Sequence, residues 1–157
     1  MKDIILGIGN PILCDDGIGI YLAERLKKEI PQLEIIETSD SGFALIDLII
    51  GYDRAIFIDS IKTGMMKVGE VVLFSVNEFK SSIPYSIHSL DMFTALEIFR
   101  ASGIKIPSII YLLGIEVVDN STFSENFTTK IEAEKERIYK KVKKYVQKIR
   151  NKKYYTV

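Results

Sequence analysis

Apolar and polar residues follow one another along the chain in blocks that predict strands and helices in regular succession. Residues 3–9, DIILGIG, form an apolar run that ends in glycine, which is typical of a buried parallel strand entering a turn. From about Asp16, the segment DGIGIYLAERLKKEI places apolar residues at helical spacing until Pro31 stops the helix. The first predicted unit is therefore a strand, a loop and a helix.

The same alternation continues through the rest of the chain. The further predicted strands are LEIIET, RAIFID, GEVVLFSV and SIIYLLGI, and the further helices are GFALIDLII, HSLDMFTALEIFRASG and a charged segment from about Thr128 to Arg150. This order predicts a three-layer α/β fold, with a mostly parallel, twisted five-stranded sheet and helices on both faces. Because no repeat or linker interrupts the pattern, we expect residues 1–157 to form a single domain.

Composition and charge narrow the classes of protein to consider. Hydrophobic residues make up 47% and charged residues 27% of the chain, which is typical of a globular protein. The 21 basic residues balance 21 acidic ones, so charge favours neither nucleic acid nor a membrane surface as a partner. A single cysteine excludes an internal disulfide, and neither a signal peptide nor a membrane-spanning run is apparent. We expect a cytoplasmic monomer.

Polar side chains follow several of the predicted strands at the point where each strand ends. In sheets of this kind, sites gather just beyond the carboxyl ends of the strands. That rule selects residues 10–16, residues 39–42, Asp59 and the loop that leads to His88. We therefore expect these four segments to meet at one edge of the sheet.

Side chains in these segments form a candidate metal site. His88 is the only histidine, and it can complete a site with Asp59 and with one member of the pair Asp15 and Asp16. Mixed imidazole and carboxylate ligands suit a divalent ion of the nickel or zinc type, and three ligands leave coordination positions open. The alternatives are a surface or capping role for His88 and a turn or helix-capping role for Asp59. Spacing alone does not separate Asp15 from Asp16.

Several common sites are disfavoured by the sequence. The segment GIGNPILCDDGIG lacks a dinucleotide motif, because Ile12 stands where G-x-G-x-x-G needs its third glycine. No G-K-[ST] indicates a P-loop, and no G-x-S-x-G indicates a hydrolase elbow. We expect Gly7 and Gly9 to let the chain turn tightly at the sheet edge. Cys14 is disfavoured as a nucleophile, because the neighbouring carboxylates raise the pKa of its thiol.

Six segments, in order and over nearly the whole chain, resemble the hydrogenase-maturation endopeptidases. They are GIGNPILCDDGIGIYLAERL, DSGFALIDLI, AIFIDS, GEVVLF, IHSLDMFTALE and LLGIEV. The first contains G-x-G-N followed by D-[DE]-G-x-G and is fairly specific, while the others gain weight from their order and spacing. The resemblance implies a twisted five-stranded sheet with flanking helices, of the phosphorylase/hydrolase-like kind.

The resemblance also implies an activity and a site. These enzymes remove a C-terminal extension from the large-subunit precursor of a nickel-containing hydrogenase after nickel insertion, so that precursor is the implied partner. The implied nickel ligands are Asp16, Asp59 and His88, which assigns Asp16 to the cleft and leaves Asp15 to cap the helix that begins nearby. Nickel is carried by the substrate, and cadmium or zinc can occupy the site in crystals. Asp40 matches the aspartate of the family's D-G-G-T-type loop, which implies a place near the scissile bond.

Some positions depart from the family pattern. Ser41 and Phe43 replace the usual glycine and threonine of the loop, Ile87 replaces a frequent threonine, and GIEV stands where GIQP is common. These departures concern substrate specificity more than fold.

Two other functions remain as alternatives. Peptidyl-tRNA hydrolase also begins with a strand and G-x-G-N-P, but its histidine follows soon after this motif, whereas residues 12–30 contain no histidine. A non-catalytic nickel-recognition module on the same fold is the second alternative, since a fold alone does not determine function.

Overall fold

A five-stranded sheet lies at the centre of the molecule. The computed structural model describes residues 1–76 and 89–151. The strands are β1 (Asp3–Ile8), β2 (Ile35–Thr38), β3 (Arg54–Ile61), β4 (Val71–Ser75) and β5 (Ile109–Glu116). Their order across the sheet is β2-β1-β3-β5-β4, and every neighbouring pair is parallel except β4 and β5. The prediction of a mostly parallel five-stranded sheet is confirmed.

Helices cover both faces of this sheet. They are α1 (Ile18–Glu29), α2 (Gly42–Asp47), α3 (Ser89–Ala101) and α4 (Thr129–Asn151), and a short 3-10 helix (Cys14–Gly17) precedes α1. One buried cluster joins Ile5, Ile56 and Ile58 of the sheet to apolar side chains of α1 and α4. A second cluster joins Ile4, Leu6 and Phe57 to α2 and α3. Because successive strand residues point to opposite faces, each strand contributes to both clusters, and each fully buried aliphatic side chain contributes about 1.5–3 kcal/mol.

The helix α1 packs unusually close to β1. A Cβ atom on Gly7 would lie 2.3 Å from the Cβ of Ala23 and 2.5 Å from the carbonyl oxygen of Gly19. Gly7 therefore lies inside β1 and provides room for the helix, so the prediction that it serves a tight turn is wrong. Gly9 follows the strand, and a Cβ there would lie 2.1 Å from the carbonyl oxygen of Asp16. Both glycines allow close backbone approach, which the local sequence pattern did not distinguish from a turn.

Most predicted boundaries agree with the structure to within a few residues. The largest difference that concerns the site is in β3, which continues two residues beyond Asp59 because Ser60 and Ile61 still pair with β5. The predicted helix from about Asp16 starts as the 3-10 helix and becomes regular at Ile18. No helix within residues 1–76 and 89–151 is long and apolar enough to cross a membrane.

Candidate active site

The loops that follow β1, β2 and β5 are joined by hydrogen bonds at the carboxyl edge of the sheet. The N–H of Gly9 donates to the carbonyl oxygen of Thr38 at 3.1 Å, and the hydroxyl of Ser39 donates to the carbonyl oxygen of Gly9 at 2.8 Å. On the other side, the N–H of Cys14 donates to the carbonyl oxygen of Ser124 at 2.8 Å. Two of the loops selected from the sequence therefore meet as predicted, together with the loop after β5, which was not selected.

Asp16 lies at this edge with both carboxylate oxygens engaged. The 3-10 helix places its side chain against the end of β3, where only 1% of the residue is exposed. Its Oδ2 accepts a hydrogen bond from the N–H of Asn10 at 2.8 Å, and its Oδ1 accepts one from the hydroxyl of Ser60 at 2.8 Å. A buried carboxylate is costly without such donors, and these two bonds fix its orientation.

Asp59 lies on β3, in register with Gly114 of β5, and is 2% exposed. Its Oδ1 accepts a hydrogen bond from the backbone N–H of Ser60 at 2.8 Å. Ser60 consequently donates to both candidate ligands, with its hydroxyl to Asp16 and with its backbone to Asp59. Nothing in the run AIFIDS indicates which side chain lies opposite Ser60, so its role could not be predicted from the sequence.

Asp15 does not cap the adjacent helix, so that prediction is wrong. Its fully buried carboxylate accepts hydrogen bonds from the N–H groups of Val118 and Asp119, at 3.2 and 3.1 Å. It also accepts from the N–H of Thr128 at 2.7 Å and from the hydroxyl of that residue at 2.9 Å. Asp15 thus joins the loop after β1 to the segment that precedes α4. The partners lie more than a hundred residues away in sequence, so no local pattern indicated them.

Cys14 lies between these loops in a constrained position. It has a positive φ of 53°, which is uncommon for a residue with a side chain, and it is 7% exposed. Burial, followed by the negative charge of Asp15, raises the pKa of the thiol. The predicted direction is confirmed, although burial is the larger cause, and the thiol is poorly suited to act as a nucleophile.

Asp40 is exposed and its hydrogen bonds stay within its own turn. Its Oδ2 accepts from the hydroxyl of Thr38 at 2.8 Å, and its N–H donates back to the same hydroxyl oxygen at 3.0 Å. Asp40 follows β2 and therefore lies at the same edge as Asp16 and Asp59. The described part of the chain shows no hydrogen bond between Asp40 and either of them. Its role near a scissile bond stays a prediction.

Glu116 is a further buried acid, to which no role was assigned from the sequence. It ends β5, and its carboxylate accepts hydrogen bonds from the N–H groups of Thr63 and Gly64, at 2.9 and 2.8 Å. The hydroxyl of Thr63 also donates to it at 2.8 Å. Glu116 thereby holds the segment that follows β3, a few residues beyond Asp59. The sequence showed only that GIEV replaces GIQP, and this difference did not indicate what Glu116 contacts.

His88 lies outside the described residues, so its predicted role as a metal ligand is untested. Within residues 1–76 and 89–151, no three side chains of His, Cys, Asp or Glu are grouped to hold a metal ion. The described part of the predicted ligand set is the pair Asp16 and Asp59, linked through Ser60. Two carboxylates of this kind suit a divalent cation and require further ligands from elsewhere.

Comparisons with known proteins agree with this architecture. The hydrogenase maturation protease (HycI) family model matches residues 20–145. The hydrogenase 2 maturation protease of Escherichia coli strain K12 is 26% identical over 120 residues, which is 73% of each chain.

Solved structures are also similar. The hydrogenase maturating endopeptidase HybD from Escherichia coli has a TM-score of 0.75 and 24% identity, covering 94% of this chain and 93% of its own. The [NiFe] hydrogenase maturation protease HycI from Thermococcus kodakarensis has a TM-score of 0.68 and 25% identity, covering 93% and 92%. The family model covers most of the sequence, and the sheet has the same architecture as these structures. The chain therefore belongs to the hydrogenase maturation protease family.

Proposed function

We propose that this endopeptidase removes the C-terminal extension of a hydrogenase large-subunit precursor after nickel has been inserted. The observation that carries the proposal is the buried pair Asp16 and Asp59, both bonded to Ser60 at the carboxyl edge of the sheet in a member of this family. Family membership makes a peptide hydrolase the enzyme class. It also leaves the peptidyl-tRNA hydrolase alternative without support.

In this proposal, nickel belongs to the substrate and stays bound to the precursor. Asp16, Asp59 and His88 supply further ligands to the open positions of that nickel. The proposal for His88 is supported by the start of α3 at Ser89, the next residue. A Cβ atom on Gly42, at the start of α2, would lie 3.3 Å from the Cβ of Asp91 in the first turn of α3. The beginning of α3 is therefore near the loop that follows β2.

The bound precursor would be held so that its scissile bond lies in the cleft. Holding a substrate in a reactive orientation lowers the entropic part of the barrier, and a divalent metal can polarise a carbonyl or activate a water molecule. Asp40 is exposed at the same edge and is available to contact the extension. A site with carboxylate ligands and no thiolate should bind free nickel weakly, which suits an enzyme that inspects nickel already held by its substrate.

We further propose that the enzyme acts as a monomer in the cytoplasm. Cys14, the only cysteine, is a free thiol in the structure, which is compatible with a reducing compartment.

Incubation of the purified enzyme with a nickel-loaded precursor tests the function. Loss of the C-terminal extension, measured by mass spectrometry, is expected for the nickel-loaded precursor and not for the nickel-free one. We expect Asp16→Asn, Asp59→Asn and His88→Ala to lower the rate at least about 100-fold, because each removes a ligand. Asp47→Asn changes an exposed acid of α2 and should retain full activity.

Two results would contradict the proposal in different ways. An intact extension, under conditions in which an established maturation protease cleaves the same precursor, would refute the endopeptidase function and favour the non-catalytic module. Normal cleavage by the Asp16 and His88 variants would instead refute the site while leaving the family unchanged.

A further inference from the structure

Ser60 is the residue through which the two candidate carboxylates are connected. It is 1% exposed and lies in β3, all eight residues of which are buried. Its hydroxyl is 2.8 Å from Oδ1 of Asp16, and its backbone nitrogen is 2.8 Å from Oδ1 of Asp59. A hydroxyl in a buried strand loses its hydration, and this one recovers the loss by donating to a carboxylate.

The two hydrogen bonds of Asp16 determine how its carboxylate can meet a cation. Ser60 holds one oxygen and the N–H of Asn10 holds the other, so rotation of the carboxylate would break at least one bond. A carboxylate oxygen carries two lone pairs, so accepting one hydrogen bond does not by itself prevent it from binding a metal. One donor is the backbone N–H of Asn10, just beyond β1, and the other is the short side chain of Ser60 in β3. Both positions are rigid supports for a metal ligand.

We propose that Ser60 is a positioning residue that holds Asp16 and Asp59 in the arrangement that receives the nickel of the substrate. This inference rests on the proposed function and adds a residue to it. Ser60 acts through the two carboxylates and does not itself contact the nickel. Mutation of a residue that orients a metal ligand through a hydrogen bond commonly lowers metal affinity or activity by about 10–100-fold.

The alternative is that Ser60 only fills space in the strand. Alanine would fill nearly the same space but would take one donor from the buried Asp16, so a purely structural role predicts a loss of stability and no effect that depends on the metal. A positioning role predicts instead a loss that is specific to the metal-loaded substrate. The dependence of binding on the metal therefore separates the two roles.

Binding of the nickel-loaded and nickel-free precursor to the full enzyme is the test, measured by calorimetry beside cleavage rates. We expect Ser60→Ala to lower kcat/KM about 10–100-fold and to weaken binding of the loaded precursor at least about tenfold. Binding of the nickel-free precursor should stay close to that of the wild type, whereas the midpoint of urea unfolding should fall modestly, because the buried Asp16 loses one of its donors. Ser60→Thr keeps the hydroxyl and should recover most of the loss. Ser102→Ala, which removes an exposed hydroxyl that donates to the carbonyl oxygen of Ile98 in α3, is the control.

A double-mutant cycle with Asp16→Asn tests whether Ser60 acts through that carboxylate. Ser60→Ala should add little in the Asp16→Asn background, because coupled residues are not additive. If Ser60→Ala retains wild-type affinity for the loaded precursor while the wild-type enzyme cleaves it, the inference is wrong and the proposed function stands. If the wild-type enzyme does not cleave the precursor, the proposed function itself fails.

Discussion

Cys14 is the only cysteine of the chain, and it lies in the loop that also carries Asp15 and Asp16. Its thiol is shielded from solvent, and its pKa is raised by burial and then by the charge of Asp15. Both effects disfavour the thiolate, which is the reactive form of cysteine. A raised pKa moves thiolate formation to higher pH, so the folded protein holds less thiolate than the unfolded chain at any pH near 8.

Alkylation of Cys14 by iodoacetamide should therefore be slow in the folded enzyme. At pH 8 we expect a rate at least about tenfold below that of the same chain in urea, rising with pH only above the range of an ordinary thiol. The measurement is the time course of mass increase, and the urea-unfolded chain is its internal control. Equal rates for folded and unfolded protein would show that the loop is open and the thiol accessible.

For single residues, the sequence indicated the positions of the candidate metal ligands more clearly than the groups that they contact. Asp16 and Asp59 could be placed at the carboxyl edge because both follow apolar runs, and the structure has them there. The bond from Ser60 to Asp16 joins residues 44 positions apart. The separate tasks of Asp15 and Asp16 likewise depend on groups that only the folded chain brings near.

At the scale of elements, the contact between α1 and β1 governs where the loop with Asp16 can lie. Gly7, Gly19 and Ala23 form a strip of small residues along this contact. A Cβ atom on Gly19 would lie 2.2 Å from the carbonyl oxygen of Ile8 and 2.5 Å from that of Ile58. These carbonyls belong to β1 and β3, so they cannot move aside without disturbing the centre of the sheet.

Gly19→Ala should therefore destabilise the protein although alanine favours helices. The substitution gains about 1 kcal/mol in helix propensity, and we expect overpacking to outweigh it, with a net loss of about 1–3 kcal/mol. Urea unfolding followed by circular dichroism measures the change. Ala133→Val adds bulk at an exposed position of α4 and should cost less than about 1 kcal/mol. A Gly19→Ala variant as stable as the wild type would mean that α1 can move away from the sheet.

Elements were the level at which sequence patterns were most informative. Each predicted strand and helix that lies in the described residues is present, because burial on one or both faces leaves a strong periodic signal. The antiparallel direction of β4 had no such signal, since the direction of an edge strand depends on the path of its connections. The close approach at Gly7 was missed for a related reason, because glycine in a strand does not reveal whether a turn or a helix requires it.

At the scale of the whole molecule, Asp15 is the residue that connects distant parts of the chain. Its Oδ2 accepts hydrogen bonds from the N–H groups of Val118 and Asp119, and its Oδ1 accepts one from the N–H of Thr128. Each carboxylate oxygen therefore has a backbone donor. An asparagine in either orientation would turn an amide N–H₂ group toward one of these donors. Asp15→Asn should therefore cost much more than the loss of a surface charge.

We expect Asp15→Asn to lower the free energy of unfolding by about 2–4 kcal/mol, because it breaks a buried, charge-assisted network. Chemical denaturation measures this loss, and the exposed Asp47→Asn should stay within about 0.5 kcal/mol of the wild type. Cleavage by the folded fraction of Asp15→Asn should also fall, since Asp16 is the next residue. Wild-type stability in Asp15→Asn would show that the segment before α4 is held by other contacts.

The long-range bonds of Asp15 also have a consequence for protein synthesis. Asp15 leaves the ribosome early, but its partner Thr128 is made 113 residues later. During most of translation, Asp15 therefore lacks the partners that join the loop with Asp16 to the segment before α4. A growing or prematurely terminated chain that lacks Thr128 lacks the hydrogen bonds that the N–H and hydroxyl of this residue donate to Asp15. The loop that carries Asp16 is then held less firmly, so we expect full activity only after synthesis has reached the start of α4.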